Sequence, residues 1–237
     1  MGLTNHLPSS RLAQPGVCTS TTRPATPFEG QLIFETDTNR VLVWDASAWV
    51  APNSTTANPP GLEKITPSAV SGTGVSISGS DVILTAAPEP YITCFSSSYR
   101  HYRILLHLTA FGGGAAALTV RMASGTTANT TAANYRNVGF EAAYNAASLS
   151  TVANNGATAG WNVGRVDSSG QFSTFVMDIQ NPFESTFTAY NSNFRDYGIA
   201  GVQNGFLQVT TSYDSFNPRI GGTNTMTGVI QVYGYRN

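Results

Sequence analysis

Apolar residues recur at every second position in several stretches of this chain, and this two-residue period constrains its fold more than any other feature. The even positions from 102 to 108 are all apolar, and the odd positions beside them are polar except Leu105. The same alternation runs through 117–122, 174–179 and 206–211. A two-residue period places apolar side chains on one face of a strand, whereas an amphipathic helix needs a period of 3.6 residues. These stretches therefore predict β-strands.

The composition between the strands supports an all-β fold. Strong helix formers are scarce, since Lys64 is the only lysine in the chain, and the 23 glycines favour turns. About eight strands with loops of uneven length are typical of an antiparallel sandwich of jelly-roll type. Several strands are apolar on both faces, and only 11% of the residues are charged. We therefore predict that outer strand faces, such as those of 117–122 and 205–211, pack against other copies in a homotrimer.

The charge balance excludes several classes of partner. Twelve basic residues stand against thirteen acidic ones, for a net charge of −1. A protein that binds nucleic acid or an anionic membrane surface needs a basic patch, so we expect neither partner.

The sequence has no apolar stretch approaching 18 residues, so we expect no membrane insertion. The N-terminus lacks the apolar run of a signal peptide. Synthesis in a cytoplasm is therefore expected.

The chain is predicted to contain two folded parts and a linker. Residues 1–50 contain a proline-rich arm followed by a hairpin, whose strands lie on either side of the turn at 37–40. Residues 51–65 begin with a segment rich in proline, asparagine and threonine and are expected to form a linker. Residues 66–237 contain the longer strands and are expected to form a sandwich head.

The hairpin carries three large aromatic residues that we expect to act as anchors. A two-stranded hairpin is at best marginally stable alone in water, so its apolar side chains must pack against another domain or chain. Phe34, Trp44 and Trp49 are the largest of these side chains. They are therefore candidates for attaching residues 1–50 to a partner surface.

A search for catalytic and metal-binding patterns finds none in the sequence. The chain lacks HExxH, GxSxG, GxxxxGK[ST] and the Cys/His spacings of metal sites. His101 and His107 lie six residues apart on one predicted strand, about 20 Å at the strand rise, which is too far to chelate one metal. The carboxylates are scattered singly along the chain. We therefore expect no enzymatic activity, no metal and no cofactor.

Two sets of motifs resemble virion proteins of tailed bacteriophages. Residues 23–49 contain RPATPFEGQ, IFETDT and WDASAW in that order. This pattern is similar to an N-terminal module of minor tail proteins and short fibres, usually P-x-x-x-x-G-x-x-I-Y-x-T-D-T followed by V-Y/W-D-G-x-x-W. Ala46 stands where glycine is usual. Four later stretches are similar to the C-terminal domain of the same proteins: 99–104, 177–183, 211–216 and 228–235.

The resemblance implies a structural protein of the virion with a trimeric jelly-roll head, bound to other virion proteins of the tail or capsid. The first hypothesis is an adhesin of the tail tip or short fibre that binds host surface polysaccharide. The alternative is a capsid decoration or head-fibre protein that reinforces the shell. A glycan-degrading tailspike is disfavoured, because such enzymes usually have a longer chain with a repeated solenoid, and no repeat is visible here.

Aromatic and polar side chains in loop-like stretches of the head are candidates for binding glycan. Shallow sugar sites use aromatic faces together with Asn, Asp and Arg side chains. Packing in the core or in a trimer interface is the alternative role for each aromatic residue. The candidate glycan-binding residues are Trp161, Tyr190, Phe194, Arg195 and Tyr197.

Overall fold

The chain contains two compact units, residues 1–59 and residues 60–237. The structure is a computed structural model that describes residues 16–52, 61–145, 148–166, 172–221 and 224–236. The described secondary structure consists of β-strands and a single 3-10 turn, so the predicted all-β class is confirmed. The first half of the predicted N-terminal arm, residues 1–15, lies outside the described residues.

The N-terminal unit is a four-stranded sheet in which the predicted hairpin forms the centre. Its strands, in spatial order, are β1 (Gly16–Cys18), β2 (Leu32–Glu35), β3 (Arg40–Trp44) and β4 (Trp49–Val50). Strand β1 pairs in parallel with β2, and the other pairs are antiparallel. The hairpin therefore gains two neighbouring strands from its own chain: β4, which follows the turn that the sequence predicts at 45–48, and β1, which the sequence pattern did not indicate.

The two faces of this small sheet differ in burial. Ile33 and Leu42 lie opposite each other in the register and are buried, and the buried Glu35 shares their face. The loop after β1 supplies Arg23, whose guanidinium forms an ion pair with the carboxylate of Glu35. This face is therefore covered by the unit's own chain, with a paired charge at its edge.

The head is built from sixteen strands and one 3-10 turn. They are β5 (Gly61–Ile65), β6 (Ala69–Ser71), β7 (Val75–Ser78), β8 (Asp81–Ala87), β9 (Tyr91–Thr93), β10 (His101–Phe111), β11 (Ala116–Ser124), β12 (Thr127–Ala128), the turn at Ala132–Asn134, β13 (Tyr135–Ala143), β14 (Ser150–Asn155), β15 (Trp161–Val166), β16 (Ser173–Gln180), β17 (Thr188–Arg195), β18 (Ile199–Leu207), β19 (Ser215–Ile220) and β20 (Met226–Arg236).

Eight of these strands form a jelly roll. One sheet contains β8, β20, β10 and β16 in that spatial order, and the other contains β9, β19, β11 and β15. Consecutive strands of these eight lie in opposite sheets, except β11 and β15, which pair in the same sheet. This connectivity is that of two Greek keys. The predicted two-sheet sandwich is thus confirmed, and four further strands widen its first sheet beyond β16, in the order β17, β18, β13 and β14. We call these four strands the extension.

The core lies between the two sheets, where the inward side chains of both are buried. Its largest fully buried members include Trp161, Tyr102, Tyr135, Phe175 and Phe216. Each alternate residue of β10 and β16 points into this core, as the two-residue period predicted. Burial of apolar surface on this scale is the main stabilising contribution to such a fold.

Side chains of the extension supply hydrogen-bond partners for the backbone of β15. Among the described strands, β15 pairs only with β11. The hydroxyl of Tyr190 donates to the carbonyl oxygen of Asn162 at 2.6 Å, and that of Ser192 donates to the carbonyl of Val163 at 2.8 Å. The N–H of Asn162 donates to the side-chain oxygen of Asn137 at 3.2 Å. Side chains thus replace the missing strand along this edge.

Two sequence-based boundaries differ from the structure. Strand β5 lies in the segment expected to be linker, because Leu62 to Ile65 find partners at the end of β20, 170 residues later in the chain. The strand expected at 206–211 ends at Leu207, because the two antiparallel neighbours, β13 and β17, begin opposite Leu207, at Tyr135 and Thr188. Pairing partners distant in sequence decide both boundaries.

Candidate functional site

Three of the five candidate glycan-binding residues are in the core. Trp161 is fully buried, and Tyr190 and Phe194 are each 4% exposed. All three occupy inward positions of strands β15 and β17 rather than loops. The prediction that they bind glycan is therefore wrong in this structure, because their rings contact other core residues instead of solvent.

Ring contacts explain why these side chains are buried together. Trp161 and Tyr190 stack with their ring centroids 4.6 Å apart, and Trp161 meets Tyr135 edge to face at 5.8 Å. Phe194 stacks on Phe175 at 6.1 Å. Burial raises the pKa of the Tyr190 hydroxyl, which keeps it protonated as the donor to β15. The alternative role of core packing is the one observed for these three residues.

The other two candidates, Arg195 and Tyr197, lie at the surface. Tyr197 is 61% exposed, and the guanidinium of Arg195 lies 5.7 Å from the centre of the Phe172 ring. Both residues are at the end of β17, where the chain turns towards β18. Their role in glycan binding stays a prediction. Trp161, Tyr190 and Phe194 would take no part in such a site, because they are buried.

The three predicted anchors do not share one face of the N-terminal sheet. Trp44 and Trp49 are register partners on the face of Ile33, and their rings meet edge to face at 5.5 Å. Phe34 alternates with Ile33 along β2 and so points to the opposite face. The structure therefore divides the anchor residues into an aromatic pair and one residue on the other face.

The face that carries Phe34 is apolar at every strand position that the register defines. Phe34 pairs with Val41 and Val17, and Leu32 pairs with Val43. Val17 is 72% exposed and Val41 is 41% exposed, while the other three are half-buried. This face is thus a candidate docking surface of the N-terminal unit, which we call the Phe34 face.

The head carries a second apolar surface on the outer face of the extension. Four side chains on the adjacent strands β13 and β18 point outward, and Phe187, in the turn before β17, packs beside them with its ring 6.3 Å from that of Phe206. Their exposures range from 40% to 55%. We call this surface the apolar face, and its members are Val138, Phe140, Phe187, Val202 and Phe206.

A groove crosses the apolar face. Its volume is about 520 Å³, and its floor includes Val138, Phe206, Ala153 and Ala189. Arg136 also lines the groove, and it is one of only two charged residues at outward positions of β13, β14, β17 and β18, the other being Arg195. In an antiparallel sheet with one face in water, apolar inward residues normally alternate with polar outward ones. A surface this poor in charge is typical of a protein interface.

Sequence reasoning identified only part of this surface. The predicted interface strand 205–211 includes Phe206, whereas the alternation of Val138 and Phe140 in YRNVGFEAA was not singled out. The outward side chains of the other predicted interface strand, 117–122, are half-buried in the chain alone. The signal that could have identified the apolar face is a strand with apolar residues on alternate positions and glycine or asparagine between them.

Within the part of the chain that the structure describes, no three His, Cys, Asp or Glu side chains group as metal ligands. The same described residues contain no helix long and apolar enough to span a membrane. Cys94 is buried and Cys18 half-buried, and neither forms a disulfide. Burial raises the pKa of the Cys94 thiol, which disfavours its reactive thiolate form.

Comparison with known proteins yields no relative that could indicate a function. No protein-family model matches the chain, and no curated protein sequence matches it.

Proposed function

We propose that this protein is a structural protein of a bacteriophage virion, a homotrimeric adhesin of the tail tip or short fibre. In this proposal residues 1–59 attach the subunit to another virion protein. The head, from residue 60 onward, assembles into the trimer and binds host surface glycan. The protein acts by binding and carries out no catalysis.

The observation that supports this proposal most strongly is the apolar face of the head. Val138, Phe140, Val202 and Phe206 are each at least 40% exposed and lie on two adjacent strands. Burying them between copies would remove apolar surface from water at about 25 cal/mol per Å². Two arginines are the only charges on the extension's outer face, so few charges would lose their hydration on assembly.

The division of the chain into two compact units supports separate tasks for its two parts. The N-terminal unit has its own buried residues and its own exposed apolar surface, the Phe34 face. A second apolar surface on a separate unit favours a second partner, which in this proposal is a virion protein. Functions on a common fold such as the jelly roll are carried by such added surfaces rather than by the fold itself.

Deletion of residues 1–59 tests this division of labour. The expected result is a soluble head with unchanged melting temperature that no longer incorporates into particles. Val41→Asp in the full chain is the matched point variant, because it places a charge on the Phe34 face at a 41% exposed position. Normal incorporation of both variants would contradict the proposal. Incorporation at the capsid instead of the tail would favour the decoration protein.

A further inference from the structure

A second concave surface of the head lies beside the apolar face and is polar. It is an open basin of about 440 Å³ on the outer face of the large sheet, where β10, β16, β17 and β20 run side by side. Its lining includes His101, Asp178, Gln180, Asn191, Tyr235 and Arg236. We call it the polar basin.

The charged groups of the polar basin are paired within the protein. The carboxylate of Asp178 accepts two hydrogen bonds from the guanidinium of Arg103, at 2.7 and 2.8 Å, and a third from the hydroxyl of Tyr235 at 2.8 Å. The guanidinium of Arg236 donates to Glu63 at 2.6 Å. Asp178 and Arg236 therefore each have an oppositely charged partner within the protein.

Three further polar side chains line the same basin, those of His101, Gln180 and Asn191. Gln180 is exposed and Asn191 is half-buried, so their side-chain amides are open to a ligand, whereas the Nδ1 atom of His101 is buried and has no hydrogen-bond partner among the described residues. His101 lies directly opposite Gln180, and Asn191 lies opposite Asp178 on the next strand. Neighbouring strands are about 4.8 Å apart, so the three groups face one shared space.

We propose that the polar basin binds an uncharged saccharide through adjacent hydroxyl groups. An amide offers a donor and an acceptor together, and a sugar hydroxyl can meet both. Two accessible amides on the neighbouring strands β16 and β17 suit such a ligand. A uronate or phosphate would instead need a free cation, and both arginines here are already paired. This inference rests on the proposed adhesin function and assigns a site and a ligand class to it.

The experiment is saturation-transfer NMR on the full chain with the methyl glycosides of glucose, galactose, mannose and N-acetylglucosamine, and with glucuronate. We expect at least one neutral glycoside to bind and glucuronate not to bind. The double variant Gln180→Ala/Asn191→Ala should weaken binding at least tenfold. The matched control, Gln208→Ala/Asn193→Ala, removes an exposed amide of each kind outside the basin and should bind as the wild type does.

Salt dependence and cell binding distinguish a failure of this inference from a failure of the proposed adhesin function. Binding of an uncharged ligand should change less than twofold between 50 and 500 mM NaCl, since screening acts on charges. If the wild type adheres to host cells but the basin variant adheres equally well, the basin is not the site, although the adhesin function stands. Preferential binding of glucuronate would also overturn this inference. Failure to bind both cells and glycosides would overturn the adhesin function and the inference together.

Discussion

Trp161 contributes to stability rather than to ligand binding, because its ring is fully buried between Tyr190 and Tyr135. Replacing a buried tryptophan by alanine removes its transfer free energy and leaves a cavity. We expect Trp161→Ala to lower the free energy of unfolding by about 3–5 kcal/mol, measured by chemical denaturation.

The matched control for Trp161→Ala is an exposed residue among the five candidate glycan-binding residues. Tyr197 is 61% exposed, so Tyr197→Ala should change the unfolding free energy by less than about 0.5 kcal/mol. Equal stability of the two variants would contradict the placement of Trp161 in the core.

Glu35 should make the N-terminal unit sensitive to acid. The hydrogen bond from Arg23, with a second from Thr38 at 2.7 Å, lowers the pKa of this carboxyl below its ordinary value of 4.5. A lowered pKa in the folded state stabilises the fold above pH 4.5, and that stability is lost as the pH falls through the lowered pKa. Indole N–H signals of Trp44 and Trp49 should therefore shift to unfolded positions in acid.

Glu35→Gln should remove part of this pH dependence. The variant should be less stable at pH 7 and should lose less stability on acidification. Asp37 and Asp45 also have lowered pKa values, through hydrogen bonds from Ser20 and from the backbone N–H of Ala48, so some acid sensitivity remains. The indole signal of Trp161 reports on the head and serves as the internal reference. An unchanged acid profile in Glu35→Gln would contradict this account.

Single residues were hardest to predict where the strand pattern is interrupted. Trp161 follows a glycine in a stretch rich in glycine and asparagine, which resembles a loop. Strand β15 also contains a bulge, since its register with β11 shifts between Gly164 and Asn162. A bulge breaks the two-residue alternation, so the inward direction of Trp161 could not be inferred from the sequence.

At the scale of elements, β5 should decide where the head begins. This strand pairs with the last five residues of β20, and two ion pairs fix it, Lys64 with Asp81 at 2.7 Å and Glu63 with Arg236. A head beginning at residue 60 should therefore have a higher melting temperature than one beginning at residue 66. Differential scanning calorimetry of the two truncated proteins measures this.

Adding six residues in front of a domain could stabilise it without specific pairing, and a control variant tests for that effect. A head beginning at residue 60 with Leu62→Pro and Lys64→Pro keeps the length but loses backbone donors of β5. It should melt like the head that begins at residue 66. Equal melting temperatures for all three proteins would show that β5 adds nothing to the fold.

Strands with a marked two-residue alternation were predictable from the sequence, whereas the shortest strands and the pairing of distant strands were not. Strands β10 and β16 show four and three alternating apolar positions, respectively, and both were predicted. Strands β6 and β12 contain three and two residues, too few for an alternation to appear. Strands β13 and β18 pair in the extension, although their paired residues lie more than 50 positions apart in the chain. The alternation within each strand does not show which strand it pairs with.

For the whole molecule, the apolar face should control assembly. The wild type is expected to scatter light as a trimer of about 75 kDa, three times the 25.0 kDa of one chain. Phe140→Asp and Val202→Asp place charges on register partners at the centre of this face. Each should shift the mass towards 25.0 kDa, because an unpaired charge in an interface is costly. His107→Asp, at an exposed position of β10, is the control. A wild type that stays monomeric at micromolar concentration would contradict a trimer.

A density map of purified tailed particles would test the proposal that this chain is a virion subunit whose head faces the host. The subunit would be located in the map by the fit of its jelly-roll head. We expect threefold density at the tail tip or on a short fibre, with the apolar faces turned towards the trimer axis and the polar basins open to solvent. Particles that lack this density, or single heads with the apolar face in solvent, would contradict it.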